Sequence, residues 1–130
     1  MRRQLATLGL LLAFGAALLS SASVAAQIAG EHVVLTPADG TFNTHFTFTG
    51  SGYQPGRVVY VRIATPDGLS RRFYADDGVE LVWLAGADGT FTLELTPALR
   101  FPTAPAGVWI ALFCAQGSST CQQIEFDVLP

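Results

Sequence analysis

The chain has 130 residues, half of them hydrophobic and 13% charged, a composition that excludes intrinsic disorder. Seven basic side chains, all arginine, stand against ten acidic ones. Arg2 and Arg3 sit at the very start, so the rest of the chain carries five against ten, a formal charge of −5 that repels a phosphate backbone and excludes nucleic acid as a partner.

Met1-Arg2-Arg3-Gln4 is a short basic start, followed by an uncharged apolar run from Leu5 to Leu19 and by small residues ending Val24-Ala25-Ala26. This is the pattern of a secretory signal peptide, read here as residues 1–26 forming a signal-peptide helix with cleavage after Ala26. The apolar run is shorter than the roughly 20 residues of a spanning helix, so no membrane span is expected in the mature chain. The remaining residues, 27–130, are the size of one domain. The expected location is secreted, extracellular or periplasmic.

From residue 31 onward the hydrophobic pattern has period two. Phe46 and Phe48 alternate with His45, Thr47 and Thr49, and Val59, Val61 and Ile63 with Val58, Tyr60 and Arg62. Phe91, Leu93 and Leu95 alternate with Thr92 and Glu94, and Ile124, Phe126 and Val128 with Gln123, Glu125 and Asp127. Period two places successive side chains on opposite faces of a half-buried antiparallel strand. Turn signals separate these runs: Asp39-Gly40, Pro55-Gly56, Pro66-Asp67-Gly68, Asp77-Gly78, Asp88-Gly89 and Ala106-Gly107. Strands are therefore expected near 31–36, 43–49, 57–64, 70–75, 79–84, 90–96, 107–114 and 121–128. Seven to eight short antiparallel strands in about 100 residues describe an all-β, two-sheet sandwich.

The segment from Thr47 to Ile63 resembles the Ig-like domains of bacterial extracellular proteins. The resemblance is carried by Phe48, Gly50, Gly52, Tyr53, Pro55, Gly56, Val59 and Val61, then by Pro66-Asp67-Gly68, Asp88-Gly89-Thr90-Phe91 and Pro105-Ala106-Gly107-Val108-Trp109. It spans roughly residues 40–128 and implies a two-sheet immunoglobulin-like sandwich fold. Such modules serve as spacers, adhesion units or binding domains, so the resemblance names no activity. Arg57, where these domains often carry an acidic residue, and the pair Cys114 and Cys121 depart from the pattern.

Motifs for catalysis are missing from the sequence. There is no Gly-x-Ser-x-Gly, no His-Glu-x-x-His, and no lysine for a phosphate-cradling loop. His32 and His45 are the only histidines, and His45 alternates outward on its strand. No enzyme activity and no cofactor are expected. Asp67, Asp76, Asp77 and Asp88 cluster in turns, where calcium is a weaker alternative to the turn role these residues have without metal. Arg71-Arg72 is read as a basic pair that protects an edge strand.

Cys114 and Cys121 are an even pair in an exported chain, which points to one disulfide; a metal pair or a reactive thiol would need partners that are not nearby. The pairing sets the phase of strand 107–114, whose two faces are both apolar. If Ile124, Phe126 and Val128 face inward, Cys121 faces outward, and a cross-strand bond then turns Cys114 outward too. Val108, Ile110 and Leu112 follow it. With strand 57–64 alongside, Val58, Tyr60 and Arg62 join them, and these six residues form the expected contact surface, for a protein partner or for self-association. A covering loop, the N-terminal segment or a bulge that flips the register would each hide the stripe. The functional expectation is an exported, non-enzymatic binding module, with a passive spacer of the cell envelope as the alternative.

Overall fold

The computed structural model describes residues 30–130; the expected signal peptide and its cleavage site lie outside the described residues. Within the described residues, nine strands build two sheets. They are β1 (His32–Thr36), β2 (Gly40–Thr41), β3 (Phe46–Ser51), β4 (Val58–Ala64), β5 (Ser70–Arg72), β6 (Val82–Leu84), β7 (Phe91–Leu95), β8 (Gly107–Ala115) and β9 (Cys121–Leu129), with one helical turn, α1 (Pro97–Arg100), between β7 and β8. The smaller sheet has the order β1-β3-β7. The larger runs β2-β9-β8-β4-β5, and β6 also pairs with β4.

The all-β, two-sheet sandwich follows from the alternation. In β8, Trp109, Ala111, Phe113 and Ala115 are buried while the residues between them are not. Val59, Val61 and Ile63 of β4 and Phe46 and Phe48 of β3 point into the same interior. Their aromatic rings form an unbroken chain from Tyr53 through Phe91, Phe113, Phe48, Phe126, Trp109, Phe101 and Phe73 to Trp83, with centroids 5.2–6.2 Å apart. Tilted and edge-on packing at these distances is the favourable geometry for ring quadrupoles. The Trp109 indole N–H, buried among them, donates to the Pro105 carbonyl at 2.9 Å. Gly50 faces Phe91 across the β3–β7 ladder, and a Cβ there would occupy the space of the Phe91 ring. The first glycine of the Gly-x-Gly-aromatic motif is thus a seat for a core ring.

Details depart from the sequence-based expectation. The strand expected from 43 begins at Phe46, because Thr44 closes a turn by donating its N–H to the Thr41 carbonyl. The two-residue β2 pairs parallel with Val128 and Leu129, adding a parallel ladder of two residue pairs to otherwise antiparallel sheets. The strands expected at 70–75 and 79–84 shorten to Ser70–Arg72 and Val82–Leu84, joined beyond their ends by a single bridge between Tyr74 and Glu80. They share β4: β5 pairs with Arg62–Ala64 and β6 with Val58–Tyr60. Arg71 and Arg72 lie on β5, the end of the larger sheet's order.

Candidate contact face

The disulfide joins Cys114 and Cys121, register partners in the β8–β9 ladder, with Cα atoms 4.4 Å apart. Both are on the side of the larger sheet that faces away from the core. Partners across antiparallel strands share a face, so the registers can be read outward from this bond as rows. The disulfide row runs Val82, Tyr60, Cys114, Cys121. One step along the strands, Arg72, Arg62, Leu112 and Gln123 stand side by side, and after them Ser70, Ala64, Ile110 and Glu125. Val108 beside Asp127 closes one end of the face, and Leu84 beside Val58 the other.

The structure therefore brings Val58, Tyr60, Arg62, Val108, Ile110 and Leu112 together on one outer face. Val108 is 51% exposed, and Arg62 is also exposed; Val58, Tyr60, Ile110 and Leu112 are half-buried by their neighbours in the sheet. Two apolar residues join that sequence reasoning did not place: Val82, 40% exposed, and Leu84, 62% exposed. The run Val79-Glu-Leu-Val-Trp-Leu84 has no clean alternation, so only the pairing with β4 reveals which of its side chains face out.

Charge is divided across this face. Arg62 and Arg72, directly opposite each other, occupy the β4–β5 side, and Arg72 reaches Glu80 at 3.5 Å. Arg62 forms no ion pair among the described residues. On the β9 side, Asp39, Val108, Glu125, Phe126 and Asp127 line a hollow of about 270 Å³. The Asp127 N–H donates to the Asp39 carboxylate at 3.2 Å, which ties the strand before β2 to this rim. Apolar side chains of β4 and β8 separate the basic side from the acidic one.

The remaining candidates have local roles. Asp67 accepts hydrogen bonds from the Thr65 hydroxyl and the Leu69 N–H and forms an ion pair with Arg71 at 2.7 Å. These bonds, the Thr65 hydroxyl first, hold its carboxyl below the ordinary carboxylate range. Asp77 accepts the Val79 N–H, and Asp88 accepts the Thr90 N–H and hydroxyl, which lowers the Asp88 pKa as well. Each of the three braces its own turn, and no group of three or more His, Cys, Asp or Glu side chains with metal-binding geometry occurs among the described residues. His45 Nδ1 lies 2.6 Å from the Thr96 hydroxyl, and His32 is exposed. Arg57 donates to the Gln54 side-chain carbonyl at 3.1 Å.

A second cleft, of about 460 Å³, is lined by Ser70–Tyr74, Arg100 and Phe101. Its arginines are engaged: Arg71 with Asp67, Arg72 with Glu80, and Arg100 over the Phe73 ring at 6.0 Å. No helix among the described residues is long and apolar enough to cross a membrane.

No family profile and no curated protein matches the chain. Among solved structures, the tetra-tandem repeat in the extending region of a large adhesion protein is similar over 76% of this chain, with a TM-score of 0.54 at 17% identity. The chain spans 24% of that structure's length. Macromomycin is similar over 75% of this chain and 99% of its own, with a TM-score of 0.46 at 18% identity. At its low identity, the likeness to the adhesion-protein repeat is one of fold.

Proposed function

We propose that this protein is an exported, non-enzymatic Ig-like module, residues 27–130, that binds a protein through the outer face of its larger sheet. The observation that carries this reading is the row of apolar side chains on that face, Val108, Ile110, Leu112, Val58, Tyr60, Val82 and Leu84, gathered on one surface rather than scattered. Contiguous exposed apolar area with a tyrosine and arginines at its margin is the make-up of a contact surface. A passive spacer would have no use for such a stripe. Export is supported by the basic start and small residues before Gln27 and by an oxidised cysteine pair, which persists in oxidising compartments.

The test compares two neighbouring substitutions on β8. Ile110→Glu should leave the thermal transition within a few degrees of the wild type, while Ala111→Glu, which places a charge in the core, should abolish folding. The folded Ile110→Glu protein should then fail to retain proteins that the wild type captures from culture medium or cell-envelope extract. Equal capture by both, or unfolding of Ile110→Glu, would overturn the proposal. N-terminal sequencing of the secreted protein should begin at Gln27; recovery of the uncleaved chain in membranes would refute export.

A further inference from the structure

We infer that the occupant of this face is a second copy of the same chain, packed sheet to sheet about a two-fold axis that runs parallel to the strands. The inference rests on the binding-face reading above and adds the partner and the geometry. Its basis is the way charge is divided across the face. The basic side, where Arg62 has no ion pair among the described residues and Arg72 is held by Glu80, and the acidic side, Asp39, Glu125 and Asp127, flank a shared apolar strip. A two-fold axis along the strands exchanges the two sides and preserves height along the strands. With the axis over β8, it lays Arg62 of each copy over the acidic β9 side of the other, twice per dimer, with Ile110 and Leu112 of the two copies meeting between them.

The alternative in-plane axis, perpendicular to the strands, lays the basic side over the basic side and the acidic side over the acidic side, and like charges disfavour it. An isologous contact requires a surface complementary to itself, and a face that is basic on one side and acidic on the other meets that requirement. Within one chain Arg62 and Glu125 cannot satisfy each other: they lie on β4 and β9, with β8 and its Leu112 and Ile110 between. With the axis over β8, Arg62 stands over the partner's β9, about one row, ~7 Å along the strands, from its Glu125, a span that an arginine side chain covers; Arg72 stays with Glu80 of its own chain. The hollow beside Glu125 and Asp127 gives a guanidinium space to enter.

Size sets the strength. Four strands about 4.8 Å apart and about 27 Å of strand length give a flat area of roughly 500 Å² per copy, at the lower end of specific interfaces. The dimer should therefore be weak and dependent on concentration, dissociating in the micromolar range or above.

Sedimentation equilibrium of the protein purified after expression of the full chain tests this, with Arg62→Glu and Glu125→Arg as variants. The wild type should show a monomer–dimer equilibrium. Each variant alone places like charges over each other at both contacts and should raise the dissociation constant by about tenfold or more. An equimolar mixture of the two should regain dimers. In the mixed pair the two reversed side chains, one from each variant, face each other with opposite charge, and the unchanged Arg62 of one copy faces the unchanged Glu125 of the other. A wild type that stays monomeric at millimolar concentration overturns the second-copy inference; if Ile110→Glu still loses captured proteins, the binding face itself survives. Dimers whose affinity neither charge reversal changes, or variants that mixing fails to rescue, overturn the two-fold arrangement. Dimers that Ile110→Glu leaves intact overturn the second-copy inference for this face, while protein capture by Ile110→Glu decides the binding face itself.

Discussion

The backbones of Tyr53 and Gly89 are in direct contact. The Tyr53 N–H donates to the Gly89 carbonyl at 3.2 Å, and the Tyr53 carbonyl lies where a Cβ on residue 89 would sit. Gly89 also has a φ of 76°, in the left-handed region. Gly78 has a similar φ of 83° but open space around the missing Cβ. Gly78→Ala should therefore cost only the conformational term, roughly 1–2 kcal/mol. Gly89→Ala adds a clash with fixed backbone and should cost about 3 kcal/mol or more in denaturant unfolding. Equal costs would show that Tyr53 can move away freely.

Loss of the disulfide should weaken the domain without abolishing the fold. The bond closes an eight-residue ring from Cys114 to Cys121, for which the loop-closure relation gives about 2.5 kcal/mol. The Cys114→Ser, Cys121→Ser double variant should unfold at lower denaturant by that amount while keeping its β-sheet circular dichroism. Intact mass of the native protein should be lower than that of the reduced form by two hydrogen atoms. Two thiols open to alkylation without reductant would contradict the structure.

Asp67 predicts an acid-side dependence. Its carboxyl is held below the ordinary range by the Thr65 hydroxyl, the Leu69 N–H and Arg71, so the folded state favours the ionised form. That stabilisation is present above the unfolded carboxylate pKa, near 4, and is lost as pH falls from there through the folded pKa. Asp67→Asn should lower the melting temperature at neutral pH and flatten its fall below about pH 4. An acid profile identical to the wild type would show that the Thr65–Asp67–Arg71 cluster contributes nothing to the fold.

Tyr53 predicts the alkaline side. Its hydroxyl is buried without a hydrogen-bond partner among the described residues. Burial, with a contribution from Glu31, pushes its pKa up to about 12. The folded state thus retains a proton that the unfolded chain releases at the ordinary tyrosine value of 10.0, so stability is complete below pH 10 and declines as pH rises towards 12. Tyr53→Phe should reduce that decline and, by removing an unpaired buried hydroxyl, leave neutral-pH stability equal or higher by about 1 kcal/mol. A marked loss at neutral pH would mean that the hydroxyl is paired after all.

The parts of this fold that sequence revealed are those where a physical constraint acts on every second residue. Trp109, Ala111 and Phe113 point inward and Val108, Ile110 and Leu112 outward, although both sets are apolar, because the Cys114–Cys121 bond ties β8 to the clearly alternating β9. The Gly50 and Gly52 motif was legible for the same reason: close approach and backbone conformation demand particular residues at fixed positions. What escaped has no such periodic demand. Gly40 and Thr41 form a strand of two residues, too short for alternation, and Pro97–Arg100 make a single helical turn. Val82 and Leu84 owe their place on the face to ladder partners more than 20 positions away. Asp39 reaches Asp127 across an even longer separation.

The divided partnership of β4 has a consequence for how this protein can fail. A sheet grows into a fibril when a free edge offers a long, straight row of unpaired N–H and C=O groups to an incoming chain. Here that margin is broken in two: β5 covers one half of β4 and β6 the other, each only three residues long, with the Asp76-Asp77-Gly78 turn jutting between them. A stranger strand laid along this side would find three rungs, an interruption carrying two negative charges, then three more. Templated polymerisation from that margin is thereby frustrated, and a strongly β-prone protein can be kept at high concentration without recruiting its copies through this edge.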